Sequence, residues 1–215
     1  MPRAVTLRRP PRETVVARIL DAAVALFAER GYEAATMQDV AASIGMTAPA
    51  LYYYYDSKQD LLFEVIESNL ARIVSRIESL AAAPATATEE LTAFVREHTR
   101  FQLEGVAGAR VYNAMFLGTS TMYAALSRSQ QARITALRQR FRGRLDAILE
   151  RGLATGEFHI EDRMVTAMGI IALGEFTPAW FTLRGKHQVE RVAGLYATLA
   201  LRMVAPVGPR RGRAR

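Results

Sequence analysis

The chain has 215 residues, of which 50% are hydrophobic, and it carries a formal net charge of +7 and no cysteine. This length suits one large domain, or a small domain joined to a larger one. The absence of cysteine excludes disulfides, thiolate zinc sites and cysteine nucleophiles, and it agrees with the reducing cytoplasm, where we expect the protein to act.

Most of the basic charge lies at the two ends of the chain. Residues 1–12 contain four arginines and residues 205–215 contain four more, with no acidic residue in either stretch, so the remainder has a net charge of −1. We therefore predict a flexible basic arm over 1–12 and a basic tail over 205–215. Such ends can contact a polyanion, or they can act only as solubilising termini.

Apolar residues recur with helical spacing between residues 13 and 57, and this pattern predicts three short helices. Gly31 is expected to end the first helix. Thr36 and Asp39 form a capping box at the start of the second. The stretch Gly45-Met46-Thr47 then has the length and composition of the turn in a helix-turn-helix.

The pattern in residues 58–204 predicts about six longer helices, the first of which is capped by Ser57 and Asp60. The most apolar of them has Glu175 and Pro178 near its middle. A carboxylate at the centre of a membrane span costs about 2.5–3.5 kcal/mol, so we expect a buried helix there and no membrane partner. The five helices after the first are predicted at 88–104, at about 108–118 after breaks at Gly105 and Gly108, from Ser127 to near Gly152 or Gly156, at about 162–183, and at about 187–204.

A series of motif residues runs through the first three predicted helices and into the fourth. Its members are Ala22, Leu26-Phe27, Gly31-Tyr32, Thr36-Met37-Gln38-Asp39-Val40-Ala41, Gly45-Met46-Thr47, the stretch from Leu51 to Lys58, and Leu61-Leu62. With these residues, the segment from about 13 to 62 resembles the TetR family of bacterial one-component transcription regulators in both spacing and residue type. Beyond residue 62, only the helix count and the apolar last two helices agree with that family.

The resemblance implies an all-α fold with about nine helices in two domains. The first domain, over 13–57, is a three-helix DNA-binding head with a helix-turn-helix. The second, over 58–204, is a larger helical ligand-binding and dimerisation domain. The implied partners are double-stranded operator DNA, a small-molecule effector, and a second copy of the chain that pairs through the helices at about 162–183 and 187–204.

The third predicted helix contains no Arg or Lys, and residues 13–58 have a net charge of −3. The helix therefore cannot read guanine with a bidentate arginine, and bulk charge cannot hold the head on DNA. We expect hydroxyls, helix N-terminal amides, small apolar side chains and one lysine to make the contacts instead. The candidate DNA-binding residues are Thr36, Thr47, Ala48, Pro49, Ala50, Tyr52, Tyr53, Tyr54 and Lys58.

These candidates differ in the chemistry that they offer to DNA. The hydroxyls of Thr36, Thr47 and Tyr54 and the ammonium of Lys58 suit phosphates, Ala48, Pro49 and Ala50 suit thymine methyls, and Tyr53 can reach a base edge or a sugar. The resemblance implies that Tyr52 reaches the DNA backbone and that Tyr55 packs inside the head. The alternative is that the tyrosines are core residues and that the threonines are only helix caps, worth about 1 kcal/mol each.

Aromatic residues and methionines with sparse polar groups predict a pocket for a largely apolar ligand in the second domain. The candidate ligand-binding residues are Phe94, His98, Phe101, Tyr112, Met115, Phe116, Tyr123, Glu175 and Trp180. The alternative is that they are core residues, with His98 a hydrogen-bonded core histidine. The segment from Phe101 through the arginines at 133, 138, 140, 142 and 144 is similar to family members that sense acyl-CoA or other lipid-derived molecules, although such a run can also be a solvated helix face.

The sequence gives no support to an enzyme. Its three histidines are scattered, and it has no G-x-S-x-G, HExxH or P-loop spacing, so we predict no catalytic residue, no cofactor and no metal site. The predicted function is a sequence-specific transcription regulator, a repressor released from its operator by a small, largely apolar ligand, with acyl-CoA and lipid-derived molecules as candidates. The alternatives are a non-sensing architectural DNA-binding protein and a TetR-like activator.

Overall fold

The computed structural model describes residues 11–80, 86–116, 122–182 and 186–205, and all the regular structure in these ranges is helical. Two of the segments, α7 and α10, are single turns of four residues, and the remaining nine agree with the predicted helix count. The helices are α1 (Arg12–Arg30), α2 (Met37–Ser43), α3 (Ala48–Tyr52), α4 (Lys58–Ser79), α5 (Ala87–Glu104), α6 (Val106–Phe116), α7 (Met122–Ala125), α8 (Arg128–Ala154), α9 (Arg163–Glu175), α10 (Thr177–Trp180) and α11 (Lys186–Val204).

The predicted helix caps of the N-terminal region are confirmed. Gly31 ends α1 with a φ of 81°, a left-handed conformation that glycine adopts without a Cβ penalty. Thr36 and Asp39 form the capping box of α2, and the Thr47 hydroxyl accepts from the Ala50 amide at the start of α3. These local hydrogen bonds explain why such short helices begin and end where the sequence predicted.

One continuous hydrophobic core joins α1–α3, which we call the head, to α4–α11, which we call the body. Ile19 of α1 and Leu51 of α3 are fully buried in the same cluster as Leu62 of α4 and Leu91 of α5. Within the body, α5 is central and packs against α4, α8, α9 and α11, whereas α6 packs against α1 and α4. The head therefore rests on the body through α4 and α6.

The most apolar stretch was predicted as one unbroken helix, and the structure corrects this prediction. The helix α9 ends at Glu175, and α10 is a separate turn. Pro178 has no N–H to donate to the Gly174 carbonyl, so a continuous helix would leave that oxygen unpaired. The Thr177 hydroxyl donates to it instead at 2.7 Å, and Asn113 Nδ2 of α6 donates to the Glu175 carbonyl at 2.5 Å.

The predicted break at Gly108 is also wrong, because Gly108 lies inside α6 and only Gly105 separates α5 from α6. A Cβ on Gly108 would lie 3.3 Å from Oδ1 of Asn69 on α4. The glycine therefore marks a close crossing of two helices, which has the same sequence signature as a chain break.

Several predicted features fall outside the described residues. They are the arm at residues 1–10, the break at 81–85, the helix end at 117–118, the helix end at 183 and the tail at 206–215. Arg12 is described, and it lies in the first turn of α1 rather than in an arm, with its guanidinium carbon 6.0 Å from the ring centroid of Tyr54. None of the helices in the described ranges has the length and apolar character needed to span a membrane.

Candidate functional site

The turn between α2 and α3, together with α3 itself, presents an exposed surface anchored by one buried residue. Leu51 is fully buried and fixes α3 on the core of the head. Of the predicted DNA-binding residues, five are exposed and three are half-buried along this segment and the start of α2. The exposed residues are Thr36, Thr47, Pro49, Tyr52 and Tyr53, and the half-buried ones are Ala48, Ala50 and Tyr54.

The four consecutive tyrosines divide into an outer pair and an inner pair. Tyr52 and Tyr53 are 48% and 77% exposed, whereas Tyr54 and Tyr55 pack against the hydrophobic core. Burial, assisted by the nearby charge of Glu64, raises the pKa of Tyr55 to about 12. The ring of Tyr54 meets that of Tyr53 edge to face at a centroid distance of 5.4 Å, so Tyr54 supports the more exposed ring.

The two candidate threonines differ in what their hydroxyl protons do. Thr36 Oγ1 accepts from the Asp39 amide at 3.1 Å and donates to Asp39 Oδ2 at 2.6 Å. This donated bond, together with the bond from the Thr36 amide to the same oxygen, lowers the pKa of the Asp39 carboxyl. Thr47 Oγ1 accepts from the Ala50 amide at 3.4 Å and has no acceptor for its proton among the described residues. Thr47 can therefore cap α3 and donate outward at the same time.

Lys58 was predicted to meet the DNA backbone, and in the structure its ammonium has three acceptors within the chain. Its Nζ lies 2.9, 3.2 and 3.1 Å from the carbonyl oxygens of Tyr32, Glu33 and Ala35. It also lies 4.3 Å from the ring centroid of Tyr32. An ammonium has three protons, and all three are donated here, so Lys58 holds the loop between α1 and α2. Its phosphate contact stays a prediction.

A cavity of about 220 Å³ opens between α6, α8 and α9. A second, smaller cavity of about 20 Å³ shares Tyr112, Phe141 and Glu175 with it and extends toward α4 and α5. The first cavity is lined by Tyr112, Thr135, Arg138, Gln139, Phe141, Arg142, Met168, Ile171 and Glu175. The second adds Asn69, Leu70, Ile73, His98, Phe101 and Gln102.

Six of the nine predicted ligand-binding residues lie at these cavities or directly behind them. His98, Phe101, Tyr112 and Glu175 line them. Phe116 and Tyr123 form the next layer, because the Phe116 ring lies 5.0 Å from that of Tyr112 and the Tyr123 hydroxyl lies 3.0 Å from Thr135 Oγ1.

The other three predicted residues do not line the cavities. Phe94 borders a different crevice beside Ile77 and Ile148, and Met115 is buried in the core. Trp180 is 53% exposed and stacks on Tyr196 at a centroid distance of 6.4 Å, because the break after α9 turns it away from the interior.

The charge at the larger cavity comes mainly from α8. The sequence does not show which of its arginines form ion pairs and which line the cavity. Across the helix, Arg133 pairs with Glu67, Arg140 with Glu78 and Arg144 with Glu90. By contrast, Arg138 and Arg142 line the cavity and have no carboxylate within ion-pair distance in the described part of the chain.

Burial shifts the pKa values of two polar groups that line the cavity. Burial raises the pKa of Glu175, against the opposing charge of Arg138. Burial likewise raises the pKa of Tyr112 to about 12, so its phenol is protonated at neutral pH. Arg138 also lies over the Phe116 ring, with its guanidinium carbon 3.9 Å from the centroid. The cavity therefore combines aromatic walls with a fixed positive charge.

His98 forms the polar floor of the smaller cavity. It is 4% exposed, and burial lowers its pKa to about 4, so the imidazole is neutral at physiological pH. Its Nε2 lies 3.2 Å from Nε2 of Gln102. Since an amide nitrogen can only donate, Nε2 of the imidazole accepts and the ring proton lies on Nδ1. His98 is thus a hydrogen-bonded buried histidine that also borders the cavity.

The outer faces of α9, α10 and α11 are apolar but exposed. Eight large apolar side chains there are each at least 42% exposed. They are Met164, Val165, Met168, Phe176, Trp180, Leu195, Leu199 and Met203. Contiguous exposed apolar side chains of this kind indicate an interaction surface. In the described part of the chain, no group of three or more acidic, His or Cys side chains is placed to hold a metal ion.

Two family models match this chain. The model for bacterial regulatory proteins of the tetR family matches residues 19–65, which include most of the head and the first turns of α4. The model for a tetracyclin repressor-like C-terminal domain matches residues 84–204, which is more than half of the chain.

Individual proteins agree with these matches. A solved TetR family transcriptional regulator, PfmR from Thermus thermophilus, is 31% identical, with a TM-score of 0.75 over 86% of this chain and 97% of its own. The fatty acid metabolism regulator protein of Bacillus subtilis (strain 168) is 24% identical over 76% of this chain and 81% of its own length. AibR, solved in complex with isovaleryl coenzyme A and operator DNA, is 23% identical, with a TM-score of 0.73 over 86% of this chain and 96% of its own, and it supports the fold alone.

Proposed function

Because this chain belongs to the tetR family of bacterial regulatory proteins, it is a DNA-binding transcription regulator, and we propose that it is a dimeric repressor released from its operator by an acyl-CoA-type ligand. The observation that carries this proposal is the cavity beside α8. It joins aromatic walls to two arginines, Arg138 and Arg142, neither of which forms an ion pair in the described part of the chain. A repressor of chromosomal operators would act in the cytoplasm.

The proposed DNA-reading surface is the exposed side of the turn and of α3. Thr47 has a hydroxyl proton with no acceptor among the described residues, Pro49 is exposed at the first turn, and Tyr53 is 77% exposed. In a helix-turn-helix the second helix enters the major groove with its N-terminal residues at base edges. Pro49 and Tyr53 would then contact bases or sugars, and Thr47 and Tyr52 would contact phosphates.

The proposed dimer interface is the exposed apolar face of α9, α10 and α11. A large apolar face on a soluble chain is stabilised when a second copy covers it. Pairing through this face would join two heads in one dimer, as an operator with two half-sites about one helical turn (~34 Å) apart requires.

The proposed ligand has an apolar acyl part and an anionic part. The acyl part would contact Phe101, Phe141 and Ile171, and the anionic part would meet Arg138 and Arg142. The name of the Bacillus subtilis relative refers to fatty acid metabolism, and AibR was solved with isovaleryl coenzyme A, which supports this ligand class. The ligand can release DNA only if it binds more tightly to a dimer shape whose heads no longer fit the two half-sites.

Binding assays with genomic fragments test the proposal. We expect the protein to select a fragment with two half-sites and to bind it at least about a thousandfold more tightly than a scrambled duplex at the same salt concentration. Octanoyl-CoA or isovaleryl-CoA should release the operator, whereas free coenzyme A should not. Equal affinity for operator and scrambled duplex would instead favour an architectural DNA-binding protein, and reporter expression that falls on deletion of the gene would favour an activator.

A further inference from the structure

The N-termini of α4 and α8 are joined by the side chain of Gln130. Its Nε2 donates to Asp60 Oδ1 at 2.9 Å, and its Oε1 accepts from the Ser127 amide at 2.9 Å. Gln59 Nε2 adds a longer bond to the same Oε1 at 3.3 Å. Ser127 is the N-cap of α8, and Asp60 Oδ2 accepts at 2.6 Å from Ser57, the N-cap of α4. One amide group therefore connects the caps of two long helices.

The first turn of α4 also holds the head. Lys58 lies next to the cap, and its ammonium donates to the carbonyls of Tyr32, Glu33 and Ala35 in the loop between α1 and α2. The same helical turn is thus bonded to the head on one side and to Gln130 on the other. A displacement of Gln130 would act on this turn directly.

In the opposite direction, α8 runs without interruption from Gln130 to the ligand cavity. Thr135 and Arg138 line the cavity, and they lie about 7.5 and 12 Å along the helix axis from Gln130 at 1.5 Å per residue. A continuous α-helix of this length is a rigid element, so a shift imposed on Arg138 moves the N-terminus of α8 with it.

We propose that Gln130 is a positioning residue that couples the ligand cavity to the DNA-binding head, by tying the N-terminus of α8 to the first turn of α4. This inference rests on the proposed function of the cavity. Gln130 contacts neither the cavity nor the exposed surface of α3, and it acts through Asp60. Without its amide, α8 could move while the head stays in place.

The bond between Gln130 and Asp60 can be removed, and then restored with donor and acceptor exchanged, while the cap of α8 is kept. Such variants separate the proposed coupling from helix capping. Gln130→Glu keeps the oxygen that accepts from the Ser127 amide, and Glu is itself a favoured capping-box residue, so α8 stays capped. The substitution removes the proton that Asp60 accepts and sets two carboxylates against each other. Adding Asp60→Asn to Gln130→Glu supplies an amide donor on the other partner and restores the bond with its polarity reversed.

The first measurement is hydrogen–deuterium exchange of the ligand-free, DNA-free full chain. In Gln130→Glu we expect amide exchange to rise several-fold at residues 31–36 and 57–62, with thermal unfolding close to that of the wild type. The double variant should return both segments to wild-type exchange. Gln131→Glu is the matched control, because Gln131 Nε2 donates to the carbonyls of Tyr123 and Leu126 rather than to α4, and it should leave both segments unchanged.

The second measurement is the ratio of operator Kd with and without saturating octanoyl-CoA. We expect a wild-type ratio of at least about tenfold, a ratio near one in Gln130→Glu, and recovery in the double variant. Unchanged exchange in Gln130→Glu, equal release in Gln130→Glu and wild type, or a double variant that behaves like Gln130→Glu would each overturn the inference. A wild type that no acyl-CoA releases would refute the proposed ligand instead, and the exchange measurement would then decide the role of Gln130.

Discussion

Gly174 on α9 lies directly against the imidazole of His98 on α5. A Cβ built on Gly174 would stand 2.6 Å from both Cε1 and Nδ1 of His98. The imidazole is buried and the Phe141 ring lies against it at a centroid distance of 5.0 Å, so it has little room to move. The absence of a side chain at Gly174 therefore fixes both the approach of the two helices and the shape of the smaller cavity.

We predict that Gly174→Ala destabilises the protein by about 1–3 kcal/mol, because the added methyl overpacks a rigid site. Gly143→Ala is the matched control, since Gly143 lies within α8 with nothing within 4 Å of its built Cβ. That substitution should stabilise the protein by about 0.5–1 kcal/mol. Urea unfolding of the three proteins measures both effects, and equal stability of the two variants would contradict the packing argument.

The buried His98 should make stability depend on pH between about 6.5 and 4. Its pKa is about 4 in the folded chain and near its ordinary value of 6.5 in the unfolded chain, so only the unfolded chain binds the proton in this range. The contribution of His98 to the free energy of unfolding is therefore constant above pH 6.5. Below that pH it falls, by at most about 1.4 kcal/mol per pH unit. Unfolding curves of wild type and His98→Asn across this range test the assignment, because the variant should lose this slope.

A second pH dependence is expected from Glu157 in the connection between α8 and α9. Its carboxylate accepts from the amides of Ala87 and Thr88 at 3.1 and 2.9 Å and from the Thr88 hydroxyl at 2.8 Å. These bonds lower the pKa of Glu157 to about 2, from its ordinary value of 4.5. Because the folded chain holds the proton less tightly, this stabilisation is fully present above pH 4.5 and is lost as the pH falls toward 2.

Glu157→Gln removes the negative charge from the N-terminus of α5 and should therefore lower stability at pH 7. The stability difference from wild type should shrink as the pH falls from 4.5 toward 2, because the wild-type carboxyl becomes neutral. Glu161→Gln serves as the control, since Glu161 is exposed in the same connection. A stability difference for Glu157→Gln that does not change with pH would contradict the assigned cause.

The parts of the fold that the sequence predicted correctly are local ones. The caps at Thr36, Thr47 and Ser57 depend on residues within three positions of one another, so their spacing is visible in the sequence. Gly108 was misread because a close helix crossing and a chain break both favour glycine. The break after Glu175 was missed because it depends on which donors replace the missing N–H of Pro178.

The candidate sites were predictable to different degrees for the same reason. The exposure of Tyr52 and Tyr53 follows from the burial of Leu51 on a short helix with a known period. The contacts of Lys58 with the loop between α1 and α2 could not be predicted, because its acceptors lie at least 23 positions away in the chain. Arg138 and Arg142 resemble their neighbours in the sequence, and only the tertiary structure shows which arginines of α8 meet a carboxylate.

The division of the tyrosines predicts two different mutant phenotypes. Tyr53→Ala should weaken operator binding by about tenfold and leave unfolding unchanged, because the side chain is 77% exposed. Tyr55→Ala should lower the free energy of unfolding by about 2–4 kcal/mol, since it empties a packed site in the head. Fluorescence anisotropy with the operator and urea unfolding separate the two effects, and a folding defect in Tyr53→Ala would move the reading surface elsewhere.

The arginines of α8 allow a matched test of the ligand site. Arg142 lines the larger cavity without a carboxylate partner in the described part of the chain, whereas Arg140, two residues earlier, donates to both carboxylate oxygens of Glu78 at 2.8 Å. Both side chains are exposed, so we expect either substitution by Ala to change stability by less than about 1 kcal/mol.

If Arg142 meets the anionic part of the ligand, Arg142→Ala should weaken octanoyl-CoA binding by about tenfold, the loss expected for one charge-assisted contact. Arg140→Ala should bind as the wild type does. Isothermal titration calorimetry at two salt concentrations would also show a smaller salt dependence for Arg142→Ala, because one fewer cation is screened. Equal losses in the two variants would mean that the ligand senses the overall charge of α8 rather than a site at the mouth of the cavity.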